Sequence, residues 1–169
     1  YDQWEVEQSA NGAAADVYGV ELTWQQQLTF LPGALNGLGI YANYTYIQSE
    51  FTVPGLESTR TVRLPGMRPR VGNVSLSYEK FGFSGRLSLN FYDTFIDELA
   101  ERPEDDVMEI GRKQLDFSAS QKINNRIKLF AGISNINNAQ MKLRFRDGRP
   151  TDHKFYSAWG NIGIKYSPF

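Results

Sequence analysis

The chain has 169 residues, of which 41% are hydrophobic and 14% aromatic, with a formal net charge of −1 and no cysteine. This charge gives no reason to expect a nucleic-acid partner, and the lack of cysteine excludes disulfides and thiolate metal sites. No apolar run reaches the roughly 18 residues that a transmembrane helix needs. The sequence opens on Tyr1 with neither an initiator Met nor a signal peptide, so we expect a fragment or a chain trimmed at its N-terminus.

Alternation of apolar and polar residues is the dominant pattern along the chain. In residues 18–30 the even positions are apolar except Gln26, and the odd positions are polar except Gly19. Successive side chains of a strand point to opposite faces, so the pattern predicts a two-faced β-strand. Six further segments repeat it: 38–46, 73–79, 83–92, 115–123, 127–133 and 158–166. Residues 1–10 add part of an eighth strand, or lead into the first across a bulge at Asn11-Gly12.

The connections between the strands alternate in length. Short turns are expected at 31–36, 79–82 and 124–125, and long polar loops at 50–69, 95–113 and 137–154. The short turns therefore lie at one end of the sheet and the long loops at the other. Because no segment has a convincing helical period, the sequence predicts an all-β fold of antiparallel up-and-down strands, arranged as in a transmembrane β-barrel.

Alternation alone does not say which face meets water. A soluble β-barrel or sandwich that binds a small apolar ligand alternates in the same way, with its apolar face inside. The one-sided loops and the apolar C-terminal segment 161–169 favour a membrane. So do Tyr44 and Tyr46 at the long-loop end and Phe30 and Phe83 at the short-turn end, since aromatic girdles flank membrane barrels.

A series of short motifs follows these strands in a fixed order and spacing. The motifs are YGVEL (18–22), LTFLPG (28–33), GLGIYANYTY (37–46), LSYE (76–79) with GFS (82–84), LDFSAS (115–120) and NINN (135–138). The series resembles the C-terminal barrel segment of TonB-dependent outer-membrane receptors, over about residues 11–169.

This resemblance implies a fold, a function and partners. It implies that residues 1–169 supply about seven to eight of the C-terminal strands of a transmembrane β-barrel of about 22 strands, with the plug domain elsewhere. It further implies nutrient uptake across the bacterial outer membrane, of the carbohydrate or siderophore type, powered by TonB through the absent plug. The expected partners are outer-membrane lipid and lipopolysaccharide, the plug and remaining strands of the same receptor, and the barrel assembly machinery. A passive porin-type barrel and the soluble barrel remain the alternatives.

The sequence offers little for catalysis or metal binding. His153 is the only histidine, and nothing near it resembles a nucleophile elbow, so we expect a solvated loop residue, no catalytic site and no enzyme. Seven acids between positions 97 and 109 invite a calcium site, since Ca²⁺ takes carboxylate oxygens. Their spacing is not that of an EF-hand, and we expect a solvated outer loop with no metal and no cofactor.

Two long loops are basic. Their basic residues are Arg60, Arg63, Arg68 and Arg70 in the first, and Lys142, Arg144, Arg146, Arg149 and Lys154 in the second. If the long loops gather at one rim, the acidic loop can pair with both basic ones. Alternatively, arginines contact lipopolysaccharide phosphates or an anionic ligand, because a guanidinium fork fits phosphate and carboxylate. The candidate contacts are Arg60, Arg63, Arg144 and Arg146.

The polar face of a transporter wall would line the lumen and bind the plug. The residues expected there are Glu21, Gln25, Arg86, Asn90, Asp116 and Lys122. At the C-terminus, Tyr166 and Phe169 resemble the aromatic signal read by the barrel assembly machinery. The two residues have opposite parity, so we expect a bulge or bend at Ser167-Pro168.

Overall fold

The computed structural model describes residues 14–53 and 60–168. In this part of the chain the fold is all-β, with two short 3-10 helices at Gly33–Gly37 and Pro103–Asp105. The strands are β1 (Ala15–Gln27), β2 (Leu38–Val53), β3 (Arg60–Val62), β4 (Arg70–Lys80), β5 (Phe83–Tyr92), β6 (Phe95–Glu98), β7 (Val107–Glu109), β8 (Arg112–Lys122), β9 (Ile127–Ser134), β10 (Met141–Phe145), β11 (Pro150–Lys154) and β12 (Trp159–Tyr166). No helix in those two ranges is long and apolar enough to span a bilayer.

Seven long strands form one antiparallel sheet in the order β1-β2-β4-β5-β8-β9-β12. These are the seven strands that the alternation predicts, and each pairs with the next long strand along the chain, so the up-and-down topology is confirmed. The outer strands β1 and β12 do not pair with each other. The described residues therefore form an open section of a barrel wall.

Some strand boundaries differ from the expectation. β2 extends to Val53, well into the expected loop, because the short strand β3 pairs with its end, with Phe51 opposite Val62. β1 ends at Gln27, before Phe30, because the Leu31 N–H donates to the Leu28 carbonyl at 3.0 Å and begins the turn. The expected strand in 1–10 and the bulge at Asn11-Gly12 lie outside the described residues.

The main sheet has one apolar and one polar face. We call apolar face the side that carries Leu22, Trp24, Ile40, Leu89 and Ile162, and polar face the side that carries Glu21, Arg86, Asn90, Asp116 and Lys165. On the apolar face Leu22 is 64% and Ile162 88% exposed. Among the described hydrophobic residues, only Phe95 and Ile96 are buried, and both lie outside this sheet. The described residues therefore contain no closed apolar interior of the kind that the soluble alternative requires.

The long loops contain a second, four-stranded sheet in the order β11-β10-β7-β6. The two hairpins β6–β7 and β10–β11 join where Leu143 pairs with Glu109. The expectation of two plain polar loops at 95–113 and 137–154 is therefore wrong. The strands are only three to five residues long, too short for their alternation to stand out among the charged residues around them.

Candidate functional site

Three segments that are distant in sequence meet at one carboxylate at the long-loop end. Asp106 is fully buried. Arg60 donates to it from both terminal nitrogens, Nη1 to Oδ2 at 2.8 Å and Nη2 to Oδ1 at 2.6 Å. Arg146 donates from Nη2 to Oδ2 at 2.9 Å, and the Ala100 N–H donates to Oδ1 at 2.9 Å. We call these four residues the Asp106 cluster, and it joins β3, the loop after β6 and the β10–β11 hairpin.

Further bonds surround the Asp106 cluster. Arg60 Nη2 also donates to the Ala100 carbonyl at 2.7 Å, and the Arg146 N–H donates to the Asp106 carbonyl at 2.8 Å. The neighbouring Asp105 pairs with Arg149 at 2.6 Å and with Arg102 at 2.5 Å. The acidic loop thus pairs with both basic loops, as the rim arrangement predicts.

The protonation of the Asp106 cluster follows from its hydrogen bonds. Burial by itself would raise the pKa of Asp106, but the hydrogen bonds from Arg60, the Ala100 N–H and Arg146 outweigh burial and hold that pKa below its ordinary value. At the exposed hairpin tip, hydrogen bonds from the Arg149 backbone and side chain likewise lower the pKa of Asp147. The carboxylates of Asp106 and Asp147 are therefore charged at neutral pH.

The expected anion contacts divide into two pairs. Arg60 and Arg146 belong to the Asp106 cluster, where each is bonded to the carboxylate. Arg63 and Arg144 are exposed, and neither forms an ion pair within the described ranges. The sequence did not single out Asp106, because nothing among the seven acids between positions 97 and 109 marks the one that becomes fully buried.

A second cluster lies where the main sheet meets the loops. The Arg68 guanidinium lies 4.2 Å from the ring centre of Tyr92 and 5.1 Å from that of Phe95. The Tyr92 hydroxyl donates to Glu109, which is 4% exposed, and Arg68 lies 3.9 Å from the same carboxylate. Sequence reasoning placed Arg68 among the loop arginines but missed this cation–π arrangement. The arrangement supports β6, which begins at Phe95.

Asp116 is the centre of a hydrogen-bond network on the polar face. Its Oδ1 accepts from Ser134 Oγ at 2.6 Å, from the Asn135 N–H at 2.8 Å and from Gln114 Nε2 at 2.9 Å. Its Oδ2 accepts from Asn90 Nδ2 at 2.9 Å. Asp116 and Asn90, both expected lumen residues, are thus brought together and join three neighbouring strands.

The other expected lumen residues also lie on the polar face but apart from this network. Glu21 accepts from Asn43 Nδ2 at 2.9 Å. Gln25 and Arg86 line one cavity of about 390 Å³. Lys122 pairs in register with Lys128 at the short-turn end of the wall.

The remaining expected residues lie as follows. His153 contacts Gln140 Oε1 at 2.6 Å, and its ring centre lies 4.2 Å from that of Phe155. Tyr166 pairs with Ile127 and is 62% exposed. The register of β12 on β9 is regular through Tyr166, and the Ser167 N–H donates to the Arg126 carbonyl at 2.8 Å. β12 ends at Tyr166, and Ser167 and Pro168 follow it outside the strand. Phe169 lies outside the described residues, so the bend that would return it to the apolar face stays a prediction.

The acidic loop shows no ligand set for a calcium ion in the described ranges. They contain no group of three or more His, Asp or Glu side chains arranged to hold a metal ion. Three acids of this loop, Asp105, Asp106 and Glu109, lie instead against arginines.

An open antiparallel meander with an exposed apolar face, a hydrogen-bonded polar face and folded loops at one end has the architecture of a section of a transmembrane β-barrel wall. A family model described as TonB dependent receptor-like, beta-barrel, matches residues 3–136. The chain therefore belongs to the TonB-dependent receptor barrel family, which is a family of outer-membrane receptors and transporters. No curated protein and no solved structure matched the chain.

Proposed function

We propose that this chain is the C-terminal part of the barrel of a TonB-dependent receptor that takes up a nutrient of the carbohydrate or siderophore type. Residues 1–169 belong to one barrel domain in the bacterial outer membrane and supply wall and outer loops, without an enzymatic role. The plug domain and the contact with TonB come from the rest of the receptor. The barrel assembly machinery reads its C-terminal strand.

The observation that carries this proposal is the two-faced main sheet. Leu76 and Ser77 are neighbours on β4, a strand paired on both sides, yet they project to opposite faces. Leu76 is 48% exposed on the apolar face, whereas Ser77 donates to the Gly39 carbonyl at 3.3 Å on the polar face. A wall between lipid and an aqueous, plugged lumen needs this division along every strand.

The two faces are tested with single cysteines, which the cysteine-free chain makes simple. Leu76→Cys and its matched neighbour Ser77→Cys are introduced into the full-length receptor, labelled with a bimane fluorophore and reconstituted in vesicles with lipid-attached quenchers. The Leu76 position should be quenched strongly and the Ser77 position weakly. Equal quenching at the two positions, or the reverse order, would reject the membrane-wall assignment.

Energised uptake is tested separately from membrane insertion. Cells that express the full-length receptor are given labelled ferric siderophores and oligosaccharides, with and without TonB. Accumulation that requires TonB supports the proposal and identifies the ligand type. Accumulation that persists without TonB would instead establish the passive porin-type alternative.

Anion contacts at the loop end are part of the same proposal. We assign Arg63 and Arg144 to direct contact with lipopolysaccharide phosphates or an anionic ligand, because both are exposed at the loop end. Arg60 and Arg146 share their charge with Asp106, and they support the site by holding the loops in place.

A further inference from the structure

Three lysines form a continuous row across the polar face at the short-turn end. Lys122 of β8 lies directly opposite Lys128 of β9, and Lys128 lies directly opposite Lys165 of β12. Directly opposite residues in an antiparallel sheet project to the same face. With neighbouring strands about 4.8 Å apart, the row is about 10 Å long. We call Lys122, Lys128 and Lys165 the lysine row.

The surroundings of the lysine row are polar and contain little negative charge. Lys128 and Lys165 line a cavity of about 360 Å³, and no carboxylate lines it. Its other polar side chains are Ser84, Ser118, Ser120 and Asn161. All three lysines are exposed, and within residues 14–53 and 60–168 none of them forms an ion pair. Glu79 shares this face but lies two strands away from β8, opposite Ser84.

This arrangement is unfavourable by itself. Like charges directly opposite each other in a sheet destabilise the pairing. A small anion would bind such exposed lysines weakly, because water and salt screen exposed charges. A large acidic occupant that covers the row excludes water, supplies several carboxylates at once and leaves the serine hydroxyls and Asn161 as further hydrogen-bonding groups.

We propose that the lysine row binds a carboxylate-bearing protein segment that lies against the polar face and belongs to the rest of the same receptor. This inference rests on the proposed function, in which the polar face encloses a separate domain. The charge complementarity and the length of the row fit two or three acidic side chains of one segment. Lys128 is the central residue, because it has a lysine neighbour on both sides.

The test is zero-length coupling in the full-length receptor, carried out in outer membranes. A carbodiimide joins a lysine amine to a carboxylate only where the two are in contact, and mass spectrometry then identifies the coupled peptides. Lys128 and Lys165 should couple to Asp or Glu residues from outside this chain. Lys113 is the matched control, because it is exposed but pairs with Phe91 on the apolar face. Its coupling to outside peptides should be lower by about tenfold or more, which corresponds to about 1.4 kcal/mol.

A conservative variant separates charge from coupling chemistry. Replacing all three lysines by arginine (K122R, K128R, K165R) keeps the positive charge but removes the amine that the carbodiimide couples. This variant should lose the coupled peptides, while the covered acidic segment stays as protected from a water-soluble carboxylate reagent as in the original receptor. Lys128→Glu should instead expose the covered segment to a water-soluble carboxylate reagent.

The inference fails if Lys128 and Lys165 couple only within this chain. It also fails if they stay uncoupled while a small water-soluble amine reagent modifies them. Protection of the lysines by inorganic phosphate, with no acidic peptide coupled, would show a small-anion site instead. If uptake requires TonB and no coupling is found, this inference alone fails. If uptake does not require TonB, the proposed function fails whatever the coupling shows.

Discussion

Arg60 and Asp106 are 46 residues apart in sequence, yet two terminal nitrogens of the arginine donate to the two carboxylate oxygens at 2.8 and 2.6 Å. Bidentate pairs of this kind are strong and geometrically specific. Asp106 is fully buried and the Arg60 side chain is only 17% exposed, so water does little to screen them. This single pair joins β3 to the loop after β6.

Replacement of Asp106 by Asn should open the loop cluster. Breaking a buried ion pair by removing one partner costs about 3–5 kcal/mol, because the other charge is left buried and unpaired. Hydrogen exchange should become faster at the Ala100 and Arg146 amides, which both donate to Asp106. Asp152→Asn is the control, since its pair with Lys154 is exposed and should contribute little. Unchanged exchange in Asp106→Asn would show that the loops are held by other contacts.

Acid should open the Asp106 cluster, because the pKa of Asp106 is lowered in the folded protein and its protonation therefore favours opening. Burial opposes this shift, and the bonds from Arg60, Ala100 and Arg146 produce it. A carboxylate with a lowered folded pKa contributes its full stability above its unfolded pKa of about 3.9 and loses it as the pH falls through the folded value.

Hydrogen exchange at Ala100, corrected for the intrinsic effect of pH, should therefore stay constant from pH 7 to about 4 and rise below that. Asp106→Asn should show fast exchange across the whole range. An opening transition of the original receptor near neutral pH would contradict the assignment to Asp106.

Replacement of Asp116 by Ala should weaken the wall itself. The change leaves Asn90, Gln114, Ser134 and the Asn135 N–H without their common acceptor. A lost acceptor in a half-buried network costs about 1–3 kcal/mol. The temperature at which the folded receptor loses its fast migration on a gel should fall. Asp93→Ala should have a smaller effect, since Asp93 forms an exposed pair with Arg70 at 3.3 Å.

The combined change Arg63→Ala and Arg144→Ala tests the anion contacts. Each lost guanidinium contact should weaken apparent ligand affinity by about tenfold if both arginines bind the ligand. If they bind lipopolysaccharide, outer-membrane integrity should fall while affinity stays constant. Arg126→Ala, in the short turn before β9, is the control and should affect neither. Normal uptake and normal membrane integrity in the double variant would reject both roles.

The isolated chain should not form a stable soluble monomer. In the described residues the sheet has one unpaired edge on β1 and another on β12, and its apolar face is exposed. Open edges and exposed apolar patches promote association between chains. Light scattering in plain buffer should show aggregates, and detergent should reduce them. A monodisperse chain with a single cooperative unfolding transition in plain buffer would contradict this expectation.

Sequence reasoning was most accurate where structure depends on neighbouring residues. The alternation in 83–92 predicts β5 with its observed ends, Phe83 and Tyr92. Glu21, Arg86 and Asp116 all lie on the predicted face, because side-chain direction in a strand changes with every residue. Short turns such as 124–125 also follow from local sequence, since Asn124 accepts from the amides of Arg126 and Ile127.

The candidate site was less predictable. Arg60 and Arg146 were expected among the anion contacts, yet both bind Asp106. The loop strands β6, β7, β10 and β11 are each too short to show a period, and their stability depends on pairing with one another and on the contacts around Asp106. The partner of each charge therefore depends on how two hairpins meet, which no local pattern encodes.

The sequence by itself determined the two-faced strands, their order and the end at which the long loops lie, because alternation and turn length are local properties of the chain. Only the tertiary structure decided that Asp106 is the fully buried acid between Arg60 and Arg146, and that Lys122, Lys128 and Lys165 form a row. Both results depend on strand register and loop packing, which bring distant residues within reach of one another. The physical reason is that charge pairing acts over a few ångströms in space, whatever the separation along the chain.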